Sequence, residues 1–201
     1  MLGLKVILIA IAVWCALVLS FRLWVYPWLM RGPGHDPFNT LMVAFLQIYS
    51  RLVHRMHVEG LDELRSRVDA GPLIVVANHT GAVDPLLIQA ATRFHTRWMM
   101  ASEMMLPGLD WLWRHQRTIP VDRDGRDSGP AREAIRHVQA GGIIGIFPGG
   151  RIVAPPREIR PFATGIGLVV ARTKAPVLLI WISGTPDTRS TTKSLFTPSH
   201  A

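Results

Sequence analysis

Val6 to Phe21 reads VILIAIAVWCALVLSF, sixteen residues without a charge between Lys5 and Arg22. A spanning helix needs about 20 apolar residues, so the run alone is slightly short. LWVYPWLM follows at once and adds apolar length with an aromatic cluster, Trp24, Tyr26 and Trp28. Tryptophan and tyrosine favour the membrane–water boundary, so the segment predicts a tilted span or a helix dipping into one leaflet. A cleaved signal peptide would share Lys5 and the core length, but no small-x-small cleavage site follows. Residues 1–30 therefore read as an uncleaved anchor. Arg22 and Arg31 on one side and Lys5 on the other give a weak topology signal. The reading taken is an inner (plasma) membrane, with the rest of the chain on the cytoplasmic side.

The 201 residues suffice for one compact domain beyond the anchor. Lysine and arginine outnumber acids 22 to 14, a net charge of +8 with arginine dominant. Such a balance suits an anionic partner: a phospholipid surface, a phosphorylated substrate or nucleic acid. With 49% hydrophobic residues the chain is more apolar than a nucleic-acid module needs, and it carries none of their motifs. The single cysteine, Cys15, lies in the apolar run and excludes an intrachain disulfide framework.

RGPGHDP (31–37) is rich in helix breakers and reads as a linker. Asn39 to Met56 predicts a helix with Met42, Phe45, Leu46, Ile48, Leu52 and Val53 on an apolar face, for packing or for a membrane surface. Residues 31–57 thus form a linker and amphipathic helix, with His54 and His57 read as interfacial. The chain then alternates. PLIVVANH, TRWMMAS, TIPV, GIIGIFP and APVLLIWI predict strands. The stretch from Pro85, Glu103–Gln116 with a break at Pro107-Gly108, GPAREAIRHVQAG and Gly165–Lys174 predict helices. This alternation argues for an α/β domain with a mostly parallel sheet and flanking helices. SGTPDTRSTTKSLFTPSHA, at the end, is polar and shows no clear element.

VVANHTGAVDPLL places a histidine and an aspartate just past a buried strand. Asp84 before Pro85 reads as the cap of the next helix, with proline at its first position. Gly81 lets the short loop turn, and His79 and Asp84 can then meet across it. An aspartate on one ring nitrogen fixes the tautomer and makes the other a better base. The carboxyl ends of strands in open α/β sheets are where ligands bind. No G-x-S-x-G elbow supplies a nucleophile, so the pair suits deprotonation of a substrate hydroxyl. On spacing alone, a capping Asp84 with a structural His79 stands equally open. One His and one Asp are too few for a metal site, and His95, His115 and His137 fall on other elements.

NHTGAVDP resembles the first motif, N-H-x-x-x-x-D, of the glycerolipid acyltransferases, which include the 1-acylglycerol-3-phosphate (lysophosphatidic acid) acyltransferases. The resemblance runs in order from about Val58 to Pro186. VEGLDEL looks like the family's lead-in, RTIPVDRDG like its second motif, and GIIGIFPGGR like its third. RPFATGIGLVVARTKAPVLLIWI looks like the following helix and fourth motif. It implies that residues 58–201 form the acyltransferase domain. His79 and Asp84 would act on the acceptor hydroxyl, which attacks an acyl thioester of coenzyme A or acyl carrier protein. The donor is then a substrate, with no cofactor and no metal. Arg123 would bind the acceptor's phosphate, and Asn78 would position the thioester or the loop. Gly149, Gly150 and Arg151 would complete the substrate site.

The third motif departs from the usual F-P-E-G-T-R. Gly149 replaces the acid, Arg151 stands in place of Thr and Ile152 in place of Arg. The fourth motif has Leu179 where a second proline is usual. Lysophosphatidic acid is the default acceptor, with another lysolipid or a hydroxylated lipid as alternatives. A non-catalytic lipid-binding relative is the second reading. The chain reads as ending short of the strand and helix that family members carry after SGTP. WMMASEMMLPGLDWLW is a candidate lining for the acyl chain, or simply core.

Overall fold

The computed structural model describes residues 2–60, 71–92, 94–123, 128–153, 161–188 and 190–201. They form two compact units, Met1–Phe45 and Leu46–Ala201. The lead-in VEGLDEL, the end of RTIPVDRDG and the start of RPFATG fall partly outside the described residues.

The first unit is dominated by helix α1 (Leu2–Leu29), which is long and apolar enough to cross a membrane. At the helical rise it measures about 42 Å, more than the ~30 Å of hydrocarbon in a bilayer. Its apolar side chains, from Leu2 to Trp28, are exposed in the protein. Phe21–Val25 adopts a π-helical turn. Pro27 follows it, and proline has no N–H to offer the carbonyl four residues back, so the helix widens just before it. Pro33–His35 makes a 3-10 turn in the expected linker.

Helix α2 (Pro37–Val53) begins with Asp36 Oδ1 accepting the Asn39 N–H at 2.9 Å, a side-chain cap ahead of a first-turn proline. Val43, Leu46 and Ser50 are buried, whereas Leu41, Phe45, Ile48 and Leu52 are exposed. Apolar residues therefore occupy two faces of this helix. His54, just beyond it, is wholly buried, which corrects its reading as an interfacial residue. The Tyr49 hydroxyl donates to the Leu195 carbonyl (2.6 Å) and lies 2.8 Å from His54 Nε2, while His54 Nδ1 meets Ser199 Oγ at 2.7 Å.

The second unit holds five parallel strands: β1 (Leu73–Ala77), β2 (Arg97–Ala101), β3 (Ile119–Val121), β4 (Ile143–Ile146) and β5 (Val177–Ile180). Their order is β3-β2-β4-β1-β5. Parallel neighbours require crossovers, and helices supply them: α3 (Asp84–Ala91), α4 (Asp110–His115), α5 (Gly129–Gln139) and α6 (Thr164–Thr173). Every residue of β1 is buried, as a strand covered on both faces demands. Successive side chains alternate between faces. Ile74 and Val76 join Ile144, Ile146, Ala134, Val138 and Val169 on one side. Leu73, Val75 and Ala77 join Ile88, Phe94 and Ile182 on the other.

The polar tail is not featureless. Thr191–Phe196 forms helix α7, whose Lys193 N–H reaches the Ser190 hydroxyl at 3.4 Å. Ser-Thr-Thr starts it, and a helix this short was not visible as a periodic pattern. Beyond it, Ser199 and Ala201 donate to the carbonyls of Val53 and His54, and His57 donates to Ala201.

Burial lowers the His54 pKa from its ordinary value of 6.5. The unfolded chain then binds the proton first, so the stability from neutral His54 is complete above 6.5 and is lost as pH falls through the folded value. Urea unfolding of the whole chain in detergent is expected to show stability falling between about pH 7 and pH 5, and His54→Gln should flatten that part of the profile. An unchanged slope in the variant would remove His54 as its source.

Candidate functional site

β1 ends at Ala77, and the next seven residues carry the site to the start of α3. Asp84 is the first residue of that helix, not its cap; Val83 precedes it with helical torsions. Pro85 follows Asp84 at a first-turn position, where no N–H is missed. The Asp84 side chain points its acceptors back at the loop instead of at the helix. Its Oδ2 accepts from Thr80 N (2.6 Å), Gly81 N (2.9 Å) and His79 Nδ1 (2.9 Å), and Oδ1 accepts from Thr80 Oγ1 (3.3 Å). Asp84 is wholly buried, and His79 keeps 16% of its side chain exposed. A carboxylate can only accept from Nδ1, so Nδ1 carries a proton, and in the neutral ring Nε2 keeps its lone pair.

The rest of the loop is held from outside. Thr80 Oγ1 meets Thr185 Oγ1 at 2.7 Å, and the Val83 N–H donates to Ser194 Oγ at 3.3 Å. Both partners lie in the tail. The Asn78 amide makes a reciprocal pair with the backbone of Ile182, 2.7 Å each way. Asn78 thus ties the end of β1 to the chain just past β5, a positioning role.

The β1–β4 register sets Val76 beside Ile146, so the residues that follow each strand emerge side by side. Phe147 stacks on the His79 ring at 4.0 Å and 16°, and Trp98 of β2 stacks on Phe147 at 5.1 Å and 11°. Gly145 makes this possible, because a Cβ there would run into the Trp98 ring. The GIIGIFPGGR segment then turns: Gly150 N donates to Phe147 O at 2.9 Å, and Gly150 adopts φ +66°, a region glycine enters freely. Val153 N donates to the His79 carbonyl at 2.9 Å, locking this turn to the histidine. Gly149 is half-buried, and Gly150 and Arg151 are exposed.

Arg123 follows β3 at the same carboxyl edge of the sheet and pairs with Glu103 at 3.1 Å. In the order β3-β2-β4-β1, two strands lie between it and His79, roughly 14 Å across at the usual strand spacing. His79, Asp84, Asn78, Phe147, Gly149, Gly150, Arg151 and Arg123 therefore share one edge. Phe147 and Glu103 were not singled out from sequence. Phe147 stood inside a quoted motif, but its contact with His79 depends on a strand register that no spacing reveals. Of the Met-Trp stretch, Trp98 joins the histidine's ring stack, while Met105 and Trp113 line a cleft that His79 does not border.

The chain matches the acyltransferase family model over residues 55–183. No curated protein sequence matches it. Among solved structures it is similar to the 1-acyl-sn-glycerophosphate acyltransferase PlsC from Thermotoga maritima, at 19% identity and a TM-score of 0.43, covering 68% of this chain and 72% of that one.

Asp84→Ala would strand the Thr80 and Gly81 amides and the His79 ring N–H without an acceptor. It is expected to cost about 3 kcal/mol or more in chemical denaturation, with Asp84→Asn costing less because one oxygen remains. An alanine variant as stable as the wild type would mean the carboxylate does not hold the loop.

Proposed function

The chain belongs to the acyltransferase family, and from that premise we propose that it moves a fatty acyl group from a thioester of coenzyme A or acyl carrier protein to a lysophospholipid hydroxyl. The acceptor proposed is 1-acylglycerol-3-phosphate, and the product phosphatidic acid. The observation that carries the reading is the His79–Asp84 pair at the carboxyl edge of the sheet, with Nδ1 2.9 Å from the carboxylate; a neutral ring protonated at Nδ1 then has Nε2 as its basic nitrogen.

In this reading Nε2 takes the proton of the acceptor hydroxyl as its oxygen attacks the thioester carbonyl. The tetrahedral intermediate collapses by breaking the C–S bond, and the imidazolium returns its proton to the leaving thiolate. Asp84 holds the ring and offsets its transient charge. Phe147 limits ring rotation by stacking on one face. Arg123 takes the acceptor phosphate. Its present partner, Glu103, is 55% exposed, and such pairs hold little energy, so a phosphate can displace the carboxylate and gain a bidentate contact. That displacement would give Glu103 a role no motif assigned.

Helix α1 supplies the reason for a lipid acceptor: its exposed apolar length suits a bilayer. The reading places the protein at the inner membrane with its domain on the cytoplasmic side. Gly149, in place of the acid usual in the third motif, favours a second reading in which the acceptor is another lysolipid or a hydroxylated lipid. Such an acceptor would need no carboxylate there.

Membranes carrying the protein should transfer labelled palmitoyl from coenzyme A to lysophosphatidic acid, and His79→Ala should lower turnover by about a thousandfold. Arg123→Gln should raise KM for the phosphorylated acceptor by about tenfold or more and spare an uncharged acceptor. Turnover unaffected by His79→Ala would defeat the mechanism. Turnover on another lysolipid alone would move the acceptor to the second reading.

A further inference from the structure

A cleft of about 450 Å³ opens beside edge strand β3, lined by Arg97, Arg114, Arg117, Asp110, Trp113 and Thr118, with Met105 and Pro120. Arg97 opens β2 and Thr118 precedes β3, Pro120 lies within β3, and Met105 follows the carboxyl end of β2, so the cleft runs along β3 from the amino ends of the strands. His79 and Arg123 stand past the carboxyl ends. Neither His79 nor Arg123 lines the cleft.

Arg117 sits in a costly conformation. Its φ is +50°, at the position just past the C-cap of α4 where glycine is the usual residue. Arg117 N donates to Arg114 O, and Thr118 N to Trp113 O, at 3.0 Å each. That bond pattern closes a helix with a left-handed residue. An arginine there gives up backbone ease to place a guanidinium on the cleft wall. Arg97 reinforces the arrangement: its Nε–H donates to the Arg117 carbonyl, and its other arm pairs with Glu133.

The surroundings are electropositive despite that ion pair. Burial lowers the pKa of nearby His137, and the charges of Arg97, His95 and Arg117 lower it further, against a backbone hydrogen bond at Ile143 that raises it. Two exposed guanidinium forks, Arg114 and Arg117, remain to meet a planar or tetrahedral anion. Asp110, the one acid among the described residues on the wall, suits a neighbouring hydroxyl on the same ligand rather than the anion itself.

We propose that the Arg97–Arg114–Arg117 cleft is a second phosphate-binding site, recognising a phosphate ester with an adjacent hydroxyl. Two sources carry that chemistry in the reach of a membrane acyltransferase: the ribose phosphate of coenzyme A, and a glycerophosphate lipid head group such as phosphatidylglycerol. Arg114 and Arg117 take the phosphate, Asp110 takes the hydroxyl, and Arg97 is a positioning residue that holds the Arg117 backbone.

The test is calorimetric titration of the full chain in detergent with coenzyme A and, separately, with dihexanoyl phosphatidylglycerol as monomers. It compares wild type, an Arg114→Gln/Arg117→Gly double variant and His79→Ala. Glycine removes the backbone strain, so the double variant should keep or raise its thermal midpoint. It should bind at least one ligand about tenfold more weakly, while His79→Ala binds as the wild type does. Loss for coenzyme A alone names the donor as the source, and loss for the lipid alone names the head group. Unchanged affinity for both ligands overturns the proposal, as does a wild type that binds neither. A lower thermal midpoint in the double variant also overturns it, because the arginines would then be structural.

Discussion

A buried carboxylate with no exposure must collect donors or cost several kcal/mol in lost hydration. Asp84 meets that demand by gathering the amides of Thr80 and Gly81, the Thr80 hydroxyl and His79 Nδ1. The same four bonds that satisfy the charge also define the loop and orient the imidazole. One side chain therefore links the stability of the loop to the orientation of the ring. A loop of small residues suits this, because nothing bulky stands between the carboxylate and the backbone it must reach.

The elements around the loop act as its frame. β1 delivers His79 from inside the sheet, between β4 and the edge strand β5. The β1–β4 register brings Phe147 against the ring, and Val153 holds the His79 carbonyl. Asn78 fastens the loop's entry to Ile182. Thr185 and Ser194 reach it from the tail. Histidine and aspartate lie five residues apart in sequence, but distant segments, Ile182, Thr185 and Ser194 among them, keep their loop in place.

Local pattern and long-range contact divide what the sequence revealed. The five strands were legible because LIVVA, IIGI and VLLI are β-branched or apolar runs bounded by breakers, and the helices between them were legible from period and punctuation. The His79–Asp84 pair was legible because both partners lie within one short loop. Asp84 was misplaced as a helix cap because Asp-Pro carries that signal locally, whereas its acceptors answer a demand from the loop. The tail was underestimated for the opposite reason: Thr185, Ser194 and Ser199 are ordinary polar residues in sequence, and only folding sets them against Thr80, Val83 and His54. Neither the Phe147 stack nor the arginine cleft has a local signature, because each joins residues from several elements.

The central claim is that Asp84 makes Nε2 of His79 the free, basic nitrogen. Nitrogen-15 NMR of histidine-labelled protein in detergent, with the His79 signals assigned by comparison with His79→Ala, tests it most directly. The account predicts a neutral ring protonated at Nδ1, with Nε2 showing the shift of an unprotonated nitrogen. A ring protonated at Nε2 with a bare Nδ1 would contradict it.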